Sequence, residues 1–334
     1  MGIPTPWTGG TTIDQSPLWS KPCAARGWET ERDCRRCVGL PPGASAPNRD
    51  RKAAPEPHRG NATMPELPEV EILKEELKAH VLGRKVCTLT VPPGKEGDCP
   101  VSRWKSAVKG ATIVDVQRRG KMLLLQLDSG FSLIIHLMMV GQVLLSSLCD
   151  GEPNDVRLVL DFGDDALTVG QVHLKFLHLV PTSELNELPE LSRLGIDPLS
   201  EEFTAPRLAE LASGRRGKIK SVLLDQGFLA GIGNTYADEI LFDARIAPVR
   251  SASSLTEKEI GRLHDSIVGI LWRGLELGGS SEMAFLHLDG SKGHFQEQLR
   301  VKGRKEEPCF VCGTPIERMS LGGRGTYFCP SCQS

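Results

Sequence analysis

Two cysteine pairs close the chain, Cys309-x-x-Cys312 and Cys329-x-x-Cys332, with sixteen residues between them. Two knuckles at this spacing place four thiolates around one tetrahedral zinc. Four protein ligands leave no coordination position for a reacting water, so the chemistry expected is structural, with one Zn(2+) per chain. Gly313-Thr314-Pro315 supplies a turn, and Thr326-Tyr327-Phe328 supplies β-formers before the second pair. Together they suit a two-stranded zinc ribbon. The alternative is a disulfide pair or four unrelated thiols, and the repeated CxxC spacing favours the metal.

Cations come next. They bunch at Arg118-Arg119-x-Lys121, at Arg215-Arg216-Gly217-Lys218-Ile219-Lys220, and at Arg300-x-Lys302-x-Arg304-Lys305. Any one cluster reads as a solvated face. Three of them beside a zinc ribbon predict a phosphate-binding surface. The turn Ala230-Gly231-Ile232-Gly233-Asn234 opens onto a helix, where free backbone amides suit a phosphate; an ordinary interhelical turn is the alternative.

The elements that must position these residues follow from the pattern around them. Residues 1–63 are rich in proline and arginine and lack periodicity, which predicts disorder. Within them Cys34-x-x-Cys37, with only Cys23 nearby, lacks a fourth ligand for a second metal. From Pro68 a helix is expected with Val70, Leu73, Leu77 and Val81 on one face and a stop at Gly83. Short β segments then run from about 85 to 180, among them 111–116, 122–127, 131–137 and 156–160. They predict a sandwich of antiparallel sheets. After Pro181 helices are expected at 184–193, 204–212, 217–225, 234–243, 256–275 and 280–287. The fold class is α+β. The expected division is 64–182 for the sandwich, 183–298 for the helical part and 299–334 for the ribbon, after the 1–63 extension.

With 334 residues, a net charge of −2, no apolar run of membrane length and no signal-peptide pattern, the chain reads as a cytoplasmic protein of a reducing compartment. A monomer is the default.

Five motifs in order then resemble one family: MPELPEVE at 64–71, Gln117-Arg118-Arg119-Gly120-Lys121, Leu224-Asp225-Gln226, the run from Gly231 to Glu239, and Gly303-Arg304-Lys305 before the cysteines. They are similar to formamidopyrimidine-DNA glycosylase, of the family that includes endonuclease VIII. The resemblance implies a β-sandwich flanked by helices, a helix–two-turn–helix domain and a zinc ribbon, with damaged double-stranded DNA in the cleft between halves. It also implies roles. Pro65, as a free N-terminal amine, would attack the sugar C1′. Glu66 would act as acid and base beside it. Glu69 and Glu239 would support the site, Glu239 counted among the DNA-binding set. Lys121, Asn234 and Arg324 would grip phosphates around an extruded nucleotide. Met139 would be the wedge that fills the vacated stack.

Two departures from the family pattern matter. The family loop that usually reads Asp-Pro-Arg-Arg-Phe-Gly is here Gln171-Val172-His173-Leu174-Lys175-Phe176-Leu177. Phe176 keeps the stacking position and Lys175 one charge. Leu174 replaces the arginine expected to read the orphan base, and leucine offers no hydrogen bond to a base edge. The second departure precedes Pro65: an amide nitrogen is no amine nucleophile, so translation from Met64 or proteolysis must expose it. The resemblance therefore implies excision of oxidised purines (8-oxoguanine, formamidopyrimidines) followed by β,δ-elimination. The alternatives are an oxidised-pyrimidine glycosylase and a DNA-binding protein without catalysis.

Overall fold

The structure, a computed structural model, describes residues 64–96, 100–149, 151–282 and 284–334. The disorder expected over 1–63 and the Cys34–Cys37 pair lie outside them.

The first helix, α1 (Leu67–Val81), buries Val70, Leu73, Leu77 and Val81, the expected face. Beyond it come β1 (Thr88–Thr90), α2 (Val101–Val108), β2 (Ile113–Arg119), β3 (Met122–Leu127), β4 (Phe131–His136), β5 (Gln142–Leu145), β6 (Val156–Asp161), β7 (Ala166–Gly170) and β8 (Leu177–Pro181). They form two four-stranded sheets, ordered β1-β6-β7-β5 and β2-β3-β4-β8. Every pairing is antiparallel. Leu123, Leu125 and Ile135 of one sheet and Leu158, Leu167 and Val169 of the other share one apolar core with α1. The region in which only short β segments were expected also contains α2, whose Trp104 and Val108 lie one turn apart on its buried face.

The second half is helical: α3 (Pro189–Ser192), α4 (Ala205–Ala212), α5 (Ile219–Leu223), α6 (Asn234–Asp243) and α7 (Glu257–Glu276). Its core joins Ile240, Leu241, Leu263 and Ile267, and Leu67 of α1 is part of it. Two helix expectations need correction. The 184–193 helix is a 3-10 turn over Thr182–Glu187 followed by α3, because Pro189 interrupts the ladder. Over 280–287 the described residues form no helix. Their polar groups go elsewhere: Ser281 N donates to Gln296 Oε1 at 2.8 Å, and Phe285 is buried in the sandwich core.

The ribbon is a hairpin of β9 (Glu317–Leu321) and β10 (Arg324–Phe328). Gly322 and Gly323 at its tip have φ of 57° and 76°, the left-handed pair that a two-residue hairpin turn requires. No helix among the described residues is long and apolar enough to cross a membrane.

Candidate active site and zinc ribbon

The site begins at the first turn of α1. Glu66 precedes the helix, and its carboxylate reaches across to the N-terminus of α6. Oε2 accepts from Gly233 N at 2.6 Å and Tyr236 N at 3.3 Å, and Oε1 accepts from Thr235 N at 2.8 Å. Gly233 belongs to the turn expected to hold a phosphate, and Thr235 and Tyr236 continue it into the first turn of α6. A carboxylate of the protein occupies their amides instead, drawn by the same unsatisfied donors and helix dipole. A side chain at position 233 would displace the two charged groups of the site: a Cβ there would lie 2.4 Å from Glu66 Cδ and 2.6 Å from Lys121 Nζ.

Glu69, one turn on, is a hub. It accepts from Glu66 N at 2.8 Å, from the Tyr236 hydroxyl at 2.7 Å and from Ser280 N at 2.8 Å. Burial, then the charge of Glu66, pushes its carboxyl up to about 7 despite these donors. Tyr236 is itself buried and stacked on Phe295, with ring centroids 4.7 Å apart. The motif match included Tyr236 without giving it a role. Its hydroxyl, once buried, requires a partner, and Glu69 supplies it; the sequence alone carries no sign of that burial.

Lys121 lies in the turn between β2 and β3. Met122 pairs with His136 across the sheet, which brings Lys121 beside the His136 ring. Burial lowers the Lys121 ammonium; Glu66 and Glu69 oppose this, and Arg324 adds to it. Burial and then Lys121 push His136 down to about 4, so its ring is neutral near pH 7. His136 Nδ1 accepts from Met138 N at 3.1 Å. Past this turn Met139 is 50 % exposed, although its apolar type would otherwise place it in a core.

Phe176 ends a 3-10 turn before β8, with its ring 6.1 Å from His136. The Lys175 ammonium lies 5.0 Å from the Phe176 centroid. Leu174 is buried in the sandwich core. Asn234 opens α6 and donates from Nδ2 to Gly325 O of β10 at 3.1 Å, which ties the helix to the strand that starts at exposed Arg324. Glu66, Lys121, Met139, Phe176, Asn234 and Arg324 all line one open cavity of about 940 Å³, as does Lys175. Pro65 and Glu69 line a small adjoining pocket.

Other expected residues lie elsewhere. Glu239, counted among the DNA contacts, is buried beneath the approach to the ribbon. It accepts from Arg300 N, Val301 N and Lys302 N at 2.8, 3.0 and 2.9 Å, so its oxygens serve backbone amides. The basic clusters are also partly internal. Arg118 is paired with Glu71 at 2.6 Å and Asp197 at 2.7 Å. Lys220 is fully buried and paired with Asp238 at 2.6 Å. Lys302 is buried 3.9 Å from the same aspartate. Spacing alone does not separate a cation with an internal carboxylate from one facing solvent.

The four ribbon cysteines have their sulfurs all within 4.8 Å of one another. Cys309–Cys332 and Cys312–Cys329 stand 3.9 and 3.5 Å apart. A tetrahedron with Zn–S bonds of ~2.3 Å has edges of about 3.8 Å. The donor set therefore fits one structural zinc, with all ligand positions filled by protein.

Comparison with known proteins matches this architecture piece by piece. The formamidopyrimidine-DNA glycosylase N-terminal domain matches residues 64–174, the H2TH domain of the same enzyme matches 194–285, and the zinc finger found in FPG and IleRS matches 306–334. A formamidopyrimidine-DNA glycosylase of Desulfitobacterium hafniense is 40 % identical over 277 residues, covering 81 % of this chain and 100 % of the relative. The Lactococcus lactis Fpg in complex with abasic-site DNA superimposes with a TM-score of 0.73 at 35 % identity, covering 80 % of this chain and 99 % of that one. A point mutant of the Lactococcus lactis enzyme bound to Fapy-dG DNA gives 0.74 at 35 % identity, covering 81 % and 100 %. The fold and site thus define a DNA glycosylase of base-excision repair. The chain belongs to the formamidopyrimidine-DNA glycosylase family.

Proposed function

We propose that this protein excises oxidised purines, 8-oxoguanine and formamidopyrimidines, from duplex DNA and then nicks the strand. The observation that carries the reading is the placement of Glu66: next to Pro65 in sequence, anchored on the α6 amides, and open to the cavity. The Pro65 nitrogen attacks C1′ as a secondary amine, and the glycosidic bond breaks with its electrons leaving on the base. Glu66 takes the proton that the Pro65 nitrogen sheds on attack and passes it to the sugar ring oxygen as the ring opens, leaving an iminium between C1′ and Pro65. Water or the released base takes the C2′ proton, and the C2′–H electrons move toward the iminium. The 3′ phosphate leaves by β-elimination, loss of a further sugar proton (from C4′) to water expels the 5′ phosphate by δ-elimination, and water hydrolyses the iminium to free Pro65. Lys121, Asn234 and Arg324 grip phosphates around the extruded nucleotide, and Met139 and Phe176 fill the stack it leaves. Complexes of relatives with abasic and Fapy-dG DNA support this substrate class.

The amine must be free. The family match begins at Met64, and removal of that methionine would expose Pro65. Borohydride trapping on damaged duplex tests the reading. Protein beginning at Pro65 is expected to form a covalent adduct. The 334-residue chain, whose Pro65 nitrogen is a delocalised amide, is expected to form none. Equal trapping by both forms would move the nucleophile to a lysine, Lys121 first.

A further inference from the structure

The described residues of the segment Gly278–Gly293 leave the helical half, reach the sandwich and return. At its root His294 N donates to Leu277 O at 2.8 Å and Phe295 N to Gly279 O at 2.9 Å. At its far end Phe285 and Leu288 are buried in the sandwich core, and Leu145 N donates to Leu288 O at 3.0 Å. Between these ends Ser280, Ala284 and Phe285 line the pocket that holds Pro65, Glu66 and Glu69. The segment is thus a wall of the site.

This wall is fastened to α1 twice. One fastening is Ser280 N on Glu69. The other is a histidine. His287 Nδ1 lies 2.6 Å from Glu76 Oε1, and Nε2 lies 2.9 Å from Gly278 O. The second oxygen of Glu76 accepts from Leu288 N at 3.0 Å. A carbonyl and a carboxylate both accept, so both ring nitrogens carry hydrogen. Burial opposes that charge, but the hydrogen bond and charge of Glu76 and the Gly278 carbonyl raise the ring above its usual range. Glu76 stands on the helix that begins beside Glu66. One rigid element therefore sets both the acid and the wall.

We propose that Glu76 and His287 are positioning residues for base excision, clasping the wall at the height where it meets the base of an extruded nucleotide. The proposal rests on the reading of Pro65 and Glu66 above. An abasic site presents no base to the wall, so strand nicking there does not depend on the clasp.

Two substrates separate this role from general support of the fold. In protein beginning at Pro65, the span over which the curated relative is complete, His287→Ala and Glu76→Gln are expected to slow excision of an oxidised purine about tenfold. Nicking of a preformed abasic site is expected to stay within about twofold of the parent. The Glu76→Gln/His287→Ala double variant is expected to lose no more than either single variant, as members of one unit do. Hydrogen exchange on the same proteins is expected to speed up in the wall amides and not in β3 and β4. Equal losses on both substrates, additive losses in the double variant, or unchanged exchange in the wall would each overturn the proposal. A parent protein that cuts neither substrate would refute the Pro65 reading alone, and exchange would still decide whether the clasp holds the wall.

Discussion

The sandwich and the helical half with its ribbon bury different things. Inside the sandwich the buried residues are mostly leucine, isoleucine and valine, with Trp104 and Phe162 among them; Ser132, Asp165 and Thr168 are buried polar residues within it, and Glu66, Glu69 and Lys121 are buried where it meets the helical half. The other half buries Lys220, Asp238, Glu239, Lys302 and Thr326. The ribbon accounts for the difference. Its apolar cluster holds few residues and borrows Phe242 from α6. A core that small does not hold a module by area alone. Directional contacts replace area: Lys220 Nζ donates to Thr326 Oγ1 at 2.8 Å and to Gly325 O at 3.2 Å, beside Arg324. Apolar burial stabilises without fixing direction, whereas these bonds hold one hairpin in one place.

The largest effect should come from the metal. Chelation at neutral pH is expected to remove folding energy on the order of 10 kcal/mol from the ribbon, the scale of structural zinc sites. Cys329→Ser should act in the same direction. DNA binding, followed by titration, should collapse while the sandwich keeps its far-UV signal. Loss of sandwich signal would show that the two halves fold as one.

Next comes a matched pair of substitutions. Lys220→Met leaves Asp238 buried without its nearest cation and should cost about 3–5 kcal/mol. Leu123→Ala in the sandwich should cost about 2–5 kcal/mol through a cavity. Replacing both buried charges sharpens the contrast. Lys220→Met with Asp238→Leu should regain most of the stability yet still weaken duplex binding, because the Arg324 hairpin is no longer aimed. Full recovery of binding would make the buried charges dispensable to placement.

A third effect is an absence. An arginine at position 174 would separate cytosine from other orphan bases by about 1–3 kcal/mol. Leu174 lies in the sandwich core, so excision opposite C, T, G and A should agree within about threefold. A strong preference for C would assign base reading to Lys175.

The smallest effect lies at the surface. Glu259 completes the capping box of α7 and pairs with Arg250 at 2.6 Å. The Arg250 hydrogen bond, then the Thr256 amide, pushes its carboxyl down to about 2. The stability it contributes is complete above the ordinary carboxylate range and lost as pH falls toward about 2. Glu259→Gln should flatten that acid limb of the unfolding curve by about 1 kcal/mol or less, since solvent screens the pair.

Much of this was legible beforehand for a physical reason. The α1 face, the β3 and β4 runs and the cysteine knuckles are local patterns, and each element satisfies its own periodicity. What escaped was decided by distant partners. Segment 280–287 carries helix-compatible residues, but Phe285 finds the sandwich core and Ser280 finds Glu69. Arg118, Lys220 and Lys302 look like surface cations until carboxylates from remote parts of the chain, such as Asp197 for Arg118, are brought beside them. The amides at Gly233 looked like a phosphate cradle because no local rule says that Glu66 arrives first.

One feature of α1 bears on how substrate is taken in. Val70 and Leu73 belong to the sandwich core while Leu67 belongs to the helical one, and Leu67 N donates to Gly231 O at 3.0 Å. A single helix is embedded in both halves, with Glu66 and Glu69 bonded across the seam. The jaws therefore cannot swing apart about α1 without emptying two cores. A duplex that enters is then expected to adapt its own shape to the protein, and bending it would cost on the order of 1–6 kcal/mol. Stiffness of the nucleic acid then becomes part of lesion search, because a damaged step that kinks readily enters at less expense than an intact one.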